Sequence, residues 1–296
     1  KPDADIMAFE KDLMTGKILK HLHPGQKVRV QGFEKIEKPF MNHFDLAVSN
    51  IPFGDVAVFD PEFSGSKDPA RHSAARTIHN YFFLKSLDAV REGGIVAFIT
   101  SQGVLNAIRE YMMNHTNLVG VARLPNNLFT DNAGTEVGSD LIILQKNSGK
   151  NGELYYNEKL FVQTEQTPIG TSVNGYVWSI GSLSHTDLIR STDPYGKPAY
   201  KVMHRGDIAQ LAEDLREHLK IELQQLDRKL YEKHSLHPTK EESTAAEVQP
   251  APKTEKVSPS VIAPVSVIEP VKGVEKPQAQ PIEEKPEIEP RHPNHS

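Results

Sequence analysis

The chain has 296 residues, 38% of them hydrophobic, enough for one good core and a small second module. It contains no cysteine, which excludes a disulfide scaffold and a cysteine-ligated zinc site. A net charge of −5, with no strong basic patch, does not suit a free-standing nucleic-acid binder.

No apolar run approaches the roughly 20 residues that cross a bilayer. The charged start (Lys1, Asp3, Asp5) has no signal-peptide pattern, so a cytoplasmic protein with no membrane partner is expected. Lys1 in place of Met suggests a piece of a longer protein.

In chain order, Ile6 to Phe9 is a short apolar run ending at Glu10. Thr15 to His21 has helical spacing and stops at His23-Pro24-Gly25. Val28 to Val30 is a strand, and Phe44 to Ser49 is apolar enough for a buried central one. A long loop follows from Gly54 to Ser73, of the kind that is usually functional. Ile78 to Val90 is a helix with Tyr81, Leu84 and Leu87 on one side, and Glu92-Gly93-Gly94 separates it from a strand over Ile95–Thr100. Val104 to Asn114 is helical, and Leu118–Leu124 and Leu141–Gln145 suit an antiparallel pair at the sheet edge. Tyr155-Tyr156 and Tyr176-Val177-Trp178 suggest short strands, with a turn at Asp193–Gly196. Ile208 to His234 has leucines every three or four residues, a long amphipathic helix. From Pro238 the sequence turns to Pro, Glu, Lys, Val and Ser without an aromatic residue, too little apolar surface to fold. The expected organisation is an α/β domain over 1–150, a β-rich appendage with a long helix over 151–236, and a disordered linker or tail over 237–296.

The chemistry concentrates at Asn50-Ile51-Pro52-Phe53-Gly54-Asp55, where a strand runs straight into a turn. In open α/β sheets ligands lie outside the carboxyl ends of strands. There the Asn50 oxygen and a neighbouring carbonyl can each accept a hydrogen from an exocyclic amine. Pro52 stiffens the turn, and Phe53 offers a face on which a planar ring stacks. This is a device for holding an aminated heterocycle or an amide. It suits the N6 amine of adenine, a poor nucleophile whose developing positive charge two acceptors would stabilise, once the base is flipped out of a duplex.

The segment Ile6–Lys146 resembles the N6-adenine DNA methylases of the Asn-Pro-Pro-Phe/Tyr type. It is most similar to a branch fused to helicases in mobile-element proteins. The likeness runs through Asn50–Asp55, His79–Lys85, Gly93–Ser101, Arg123–Asn127 and Ala133–Val137. It implies a Rossmann-like methyltransferase sheet, S-adenosylmethionine as cofactor, DNA as partner and a helicase domain or partner nearby, in the manner of restriction–modification enzymes. It implies that Asn50 and the Ile51 carbonyl accept from the target amine, with Ile in place of the commoner first proline. Phe53 would stack on the adenine and Phe129 would help hold it. Glu10 would bind the cofactor ribose and Phe33 its adenine; the usual acid before Phe33 is Gly32, with Glu34 just after. The family also has a first strand and a Gly-rich turn ahead of the acid that matches Glu10. Neither is found, so an incomplete, N-terminally truncated sheet with poor cofactor binding is expected.

Methylation of a protein glutamine and a non-catalytic binding remnant are the competing functions. The 13 histidines show no zinc-hydrolase spacing, and no metal site is expected. Lys67, Arg71 and Arg76 are candidates for phosphate contacts.

Overall fold

The computed structural model describes residues 4–235, except 53, 55, 103–104, 107, 131–135 and 194–195. The tail at 237–296, Phe53, Asp55, Ala133–Thr135 and the middle of the 193–196 turn lie outside the described residues. The chain divides into units 1–243 and 244–296, and the first is described below.

The architecture is α/β. Strand β1 (Met7–Glu10) pairs in parallel with β2 (Lys27–Val30) through helix α1 (Leu13–Leu22). Asp12 caps α1 by accepting from Thr15 N at 2.7 Å. Gly16 lets the helix lie against β2, since a Cβ there would meet Val30 Cγ1 at 2.7 Å.

A second sheet has the order β3-β4-β6-β5. β3 (Phe44–Asn50) is parallel to β4 (Val90–Ser101). β6 (Ser139–Lys146) runs antiparallel between β4 and β5 (Thr116–Leu124), as the sequence pattern suggests for the last two strands. β3 is not the buried central strand expected: it is an edge, with Leu46 51% and Val48 69% exposed. Among the described residues, only one of its sides is hydrogen-bonded. Glu92-Gly93-Gly94 also lies inside β4 and not before it. Phe44 pairs with Val90 and Leu46 with Ile95, so Arg91–Gly94 form an irregularity that Gly93 permits with φ +72°.

Helix α4 (Ile78–Ala89) is buried on nearly all sides and not along one stripe. Phe83 meets Phe98 of β4 at 5.2 Å between ring centroids, while Tyr81 meets Phe63 at 4.9 Å. Phe63 belongs to α2 (Pro61–Ser64), which with α3 (Pro69–Ala74) gives the long loop two short helices. α5 (Arg109–His115) starts later than the pattern indicates.

Beyond residue 150 the aromatic pairs read as strands are helical. In α6 (Tyr156–Val162), the buried Glu158 returns to accept from Tyr155 N at 2.9 Å and from Leu118 N at 3.1 Å. In α7 (Gly175–Ser179), Asn174 caps by accepting from Val177 N at 3.1 Å. Two antiparallel hairpins accompany them: β7 (Thr164–Gln166) with β8 (Ser172–Asn174), and β9 (Thr186–Thr192) with β10 (Pro198–His204). The long helix is broken into α8 (Ile208–Glu222) and α9 (Arg228–Lys233). Asp227 makes the break. Its side chain caps α9 by accepting from Leu230 N at 3.0 Å, and its main chain is held on both sides by Gln145.

Gly93 also lies against α9, where a Cβ would sit 2.4 Å from Leu230 O. Gly93→Ala is expected to cost about 1–3 kcal/mol in urea unfolding, from its left-handed backbone and that overlap. Gly25→Ala, with no atom within 4 Å of its Cβ, should stay within about 0.5 kcal/mol of the parent.

Candidate active site

β1 hydrogen-bonds only to β2 and β3 only to β4 among the described residues, and both strands line one cavity of about 800 Å³. Its walls include Glu10, Phe33, Glu34, Leu46, Val48 and Pro52. The size falls in the range of small-molecule sites.

The sheet brings several expected residues together here. Glu10 ends β1, and its Oε1 accepts from Asp12 N at 2.8 Å, which fixes the carboxylate at the strand's carboxyl end. Phe33 follows β2 and lies between Phe9 (5.4 Å, edge-on) and Phe82 (5.6 Å, stacked). A side chain on Gly32 would collide with the carboxylate of Glu34. Glu34 therefore places its acid over position 32. Two carboxylates and a phenyl ring on one wall fit the hydroxyls and base of a nucleoside, so the residues present suit the adenosine end of S-adenosylmethionine.

Asn50 ends β3 opposite Ile99 and is exposed, while Pro52 lines the cavity. Between them Ile51 is only 1% exposed, and its N–H donates to Ile99 O at 2.9 Å. A proline could not make that bond. Isoleucine thus restores rigidity by extending the ladder and anchoring in the core. Phe53, the stacking candidate, lies outside the described residues.

The loop beyond is held by one buried carboxylate. Asp60 accepts from Tyr81 Oη at 2.7 Å and from Lys85 Nζ at 3.0 Å, and it caps α2 through Glu62 N at 2.8 Å. Both donors come from one face of α4, four residues apart. Burial pushes the Asp60 carboxyl upward, but its hydrogen bonds to Tyr81 and Lys85 and the lysine charge outweigh this and hold it below the usual range. Burial, and then the Asp60 charge, push the Tyr81 phenol up. Sequence reading picked out His79–Lys85 only as part of a likeness and missed this clamp. It also gave no sign that His79 is buried against the carboxyl end of β4, its Nδ1 2.9 Å from Thr100 Oγ1.

Other expected residues are placed differently. Phe129 lies in a 3-10 turn (Asn126–Phe129) after β5, at the carboxyl end of its strand as Asn50 is but on the opposite edge of the sheet, outside the cavity wall. Arg123 forms a two-pronged pair with Asp140, at 2.5 and 3.2 Å. Asn126 and Asn127 bond the main chain of β10. Arg71, a candidate for phosphate, is paired with Asp88 at 2.9 and 2.7 Å and stacked on Phe63, whereas Lys67 and Arg76 are exposed.

The fold and this edge define an α/β chain with a mixed sheet. Residues 21–169, half of the chain, match the family described as N-6 DNA Methylase, and the chain belongs to that family. No curated protein matches it. Among solved structures, it is similar to a Listeria monocytogenes protein assigned as a class I S-adenosylmethionine-dependent methyltransferase (14% identity, TM-score 0.37, 48% of this chain and 45% of that one). It is similar to a chain of a type I R-M system (17%, TM-score 0.36, 48% and 30%). A modification subunit assigned to a type I restriction enzyme of Vibrio vulnificus YJ016 is also similar (14%, TM-score 0.37, 71% and 49%). The chain spans less than half the length of each of these three. Among the described residues, no helix is long and apolar enough to cross a membrane.

Lys85→Met should strand the Asp60 charge and cost about 3–5 kcal/mol by chemical denaturation, whereas Lys67→Met at the surface should cost almost nothing. Because Asp60 titrates lower folded than unfolded, its stabilisation is complete above about pH 4. It is lost as the pH falls through the folded value, so Asp60→Asn should show a shallower acid-side fall in Tm.

Proposed function

We propose that this chain methylates DNA at N6 of a flipped-out adenine, with the methyl group supplied by S-adenosylmethionine. The observation that carries the reading is the position of Asn50-Ile51-Pro52 at the carboxyl end of β3, beside the cavity that holds Glu10 and Phe33. Asn50 Oδ1 and the Ile51 carbonyl accept the two hydrogens of the amine. They would stabilise the positive charge that grows on nitrogen as the methyl group passes to it, the carbon–sulfur bond of the sulfonium breaking with its electron pair left on sulfur and one amine proton then lost to solvent. The Ile51–Ile99 hydrogen bond holds that carbonyl in place before substrate arrives. Pro52 stiffens the turn, Phe53 stacks on the base and Phe129 helps retain it. Glu10 binds the ribose hydroxyls, Phe33 packs on the cofactor's adenine and Glu34 supplies the acid that position 32 lacks.

In this reading the chain works as part of a larger protein, with 1–150 as catalytic part, 151–236 as appendage and 237–296 as linker. The unpaired edges of β1 and β3, facing one apolar cavity, support a further strand between them. DNA is the partner, and a helicase domain the companion that the resemblance implies.

The test is transfer of labelled methyl to unmethylated DNA, by this chain and by the longest natural polypeptide that contains it. N6-methyladenine should form, and Asn50→Ala should slow it by about 100-fold or more. Label on protein glutamine, label on DNA undiminished in the variant, or no transfer by either polypeptide overturns the proposal.

A further inference from the structure

The open end of the β9–β10 hairpin faces helix α8 through three side chains with metal-ligating atoms. His185 immediately precedes β9, His204 ends β10, and Thr186 pairs with His204, so the hairpin register brings the two imidazoles together. Asp214, in the second turn of α8, lies opposite. Its Oδ2 is 2.8 Å from His185 Nδ1 and 2.9 Å from His204 Nε2, and the three atoms lie within 4.8 Å of one another. His204 and Asp214 are buried and His185 is exposed.

From this cluster we propose a zinc site in which His185 Nδ1, His204 Nε2 and Asp214 Oδ2 are the protein ligands and water completes the shell on the open His185 side.

Two imidazole nitrogens and one carboxylate oxygen are a donor set suited to zinc, whereas calcium and magnesium prefer oxygen alone. The surrounding groups orient these ligands as outer partners of metal sites do. His204 Nδ1 accepts from Gly206 N at 3.0 Å and lies 3.2 Å from Gly206 O, so without metal the ring proton sits on Nε2 toward Asp214, and zinc binding would move it to Nδ1, where Gly206 O can accept it. The second Asp214 oxygen, Oδ1, accepts from Gln210 Nε2 at 2.8 Å, one turn earlier on the helix. His185 itself has φ +53°, a conformation rare outside glycine, and its carbonyl accepts from Arg205 N at 3.0 Å. With Zn–N and Zn–O near 2.0–2.2 Å, tetrahedral ligand atoms stand roughly 3.3 Å apart. The two nitrogen–oxygen spacings, 2.8 and 2.9 Å, need to widen by only a few tenths of an ångström.

The site would staple hairpin to helix, with no part in methyl transfer. The parts of this motif come from positions 185, 204 and 214, a spacing with no local signature, which is why the histidines gave no metal signal in sequence.

The test is zinc titration of chelator-stripped full chain against a chromogenic indicator, with cobalt(II) absorption as a second readout. One zinc per chain is expected. His185→Ala, exposed and so safe for folding, should weaken binding at least tenfold and lose the cobalt spectrum of low-coordinate nitrogen ligation. Zinc well above its Kd should raise the parent's Tm by about 5 °C or more but not the variant's, and His23→Ala should behave as the parent. Zinc binding equal in parent and His185→Ala, or an unchanged parent Tm, overturns the site and leaves a hydrogen-bonded His–Asp–His cluster.

Discussion

The hydrogen bonds that β3 makes to β4, on one side only among the described residues, are the constraint from which the site follows. Along β4, β3 receives a continuous parallel ladder from Leu46 to Asn50, and the Ile51 amide adds one bond more. That ladder decides where Asn50 stands, because the side-chain period of a strand admits no slippage without turning every residue over. The other side of β3 faces β1 across the cavity. A pocket lined by two strands has main-chain donors and acceptors along its walls, a surface that can bind by main chain as well as by side chain. The candidate cofactor residues Glu10 and Phe33 thus share the opening with Pro52, next to Asn50 at the end of β3.

The loop after the tetrapeptide shows how α4 supports this edge. Its residues lie between sheet and loop, so α4 cannot be amphipathic in the ordinary sense. It is apolar toward Phe98 and Phe63, and polar where Tyr81 and Lys85 reach Asp60, His79 reaches Thr100 and Asp88 meets Arg71. Burying that carboxylate is costly unless each lone pair is occupied. Tyr81, Lys85 and the Glu62 amide occupy them. The result is a loop whose base is fixed, while Pro52 borders the cavity.

Much of this organisation is legible in the sequence. Strands β1 to β6 coincide with apolar runs, and Asn50-Ile51-Pro52 lies at the carboxyl end of its strand as the chemistry requires. The misreadings have physical causes. Short aromatic runs are compatible with strand or helix, and at Tyr156 and Tyr176 the choice was made by Glu158 and Asn174, whose capping depends on partners three residues away. The break in the leucine-rich helix is due to Asp227, held by Gln145 from a distant strand. β3 is apolar enough for a central strand, yet composition cannot tell which edge is covered. Acids and cations such as Asp60, Lys85, Arg71 and Arg123 read as solvated or functional until their long-range partners are known.

Asn126 and Asn127 tie the turn that carries Phe129 to the backbone of β10, through Val202 and His204. Turn and hairpin are therefore one mechanical piece, although 70-odd residues separate them in sequence. Displacing the turn would break amide bonds to the hairpin, and ordering the hairpin lowers the entropy cost of ordering the turn. By reciprocity, whatever free energy a ligand of the appendage spends on fixing β10 is returned to whatever engages Phe129, and the reverse holds equally. The appendage is in this sense a thermodynamic extension of the sheet edge.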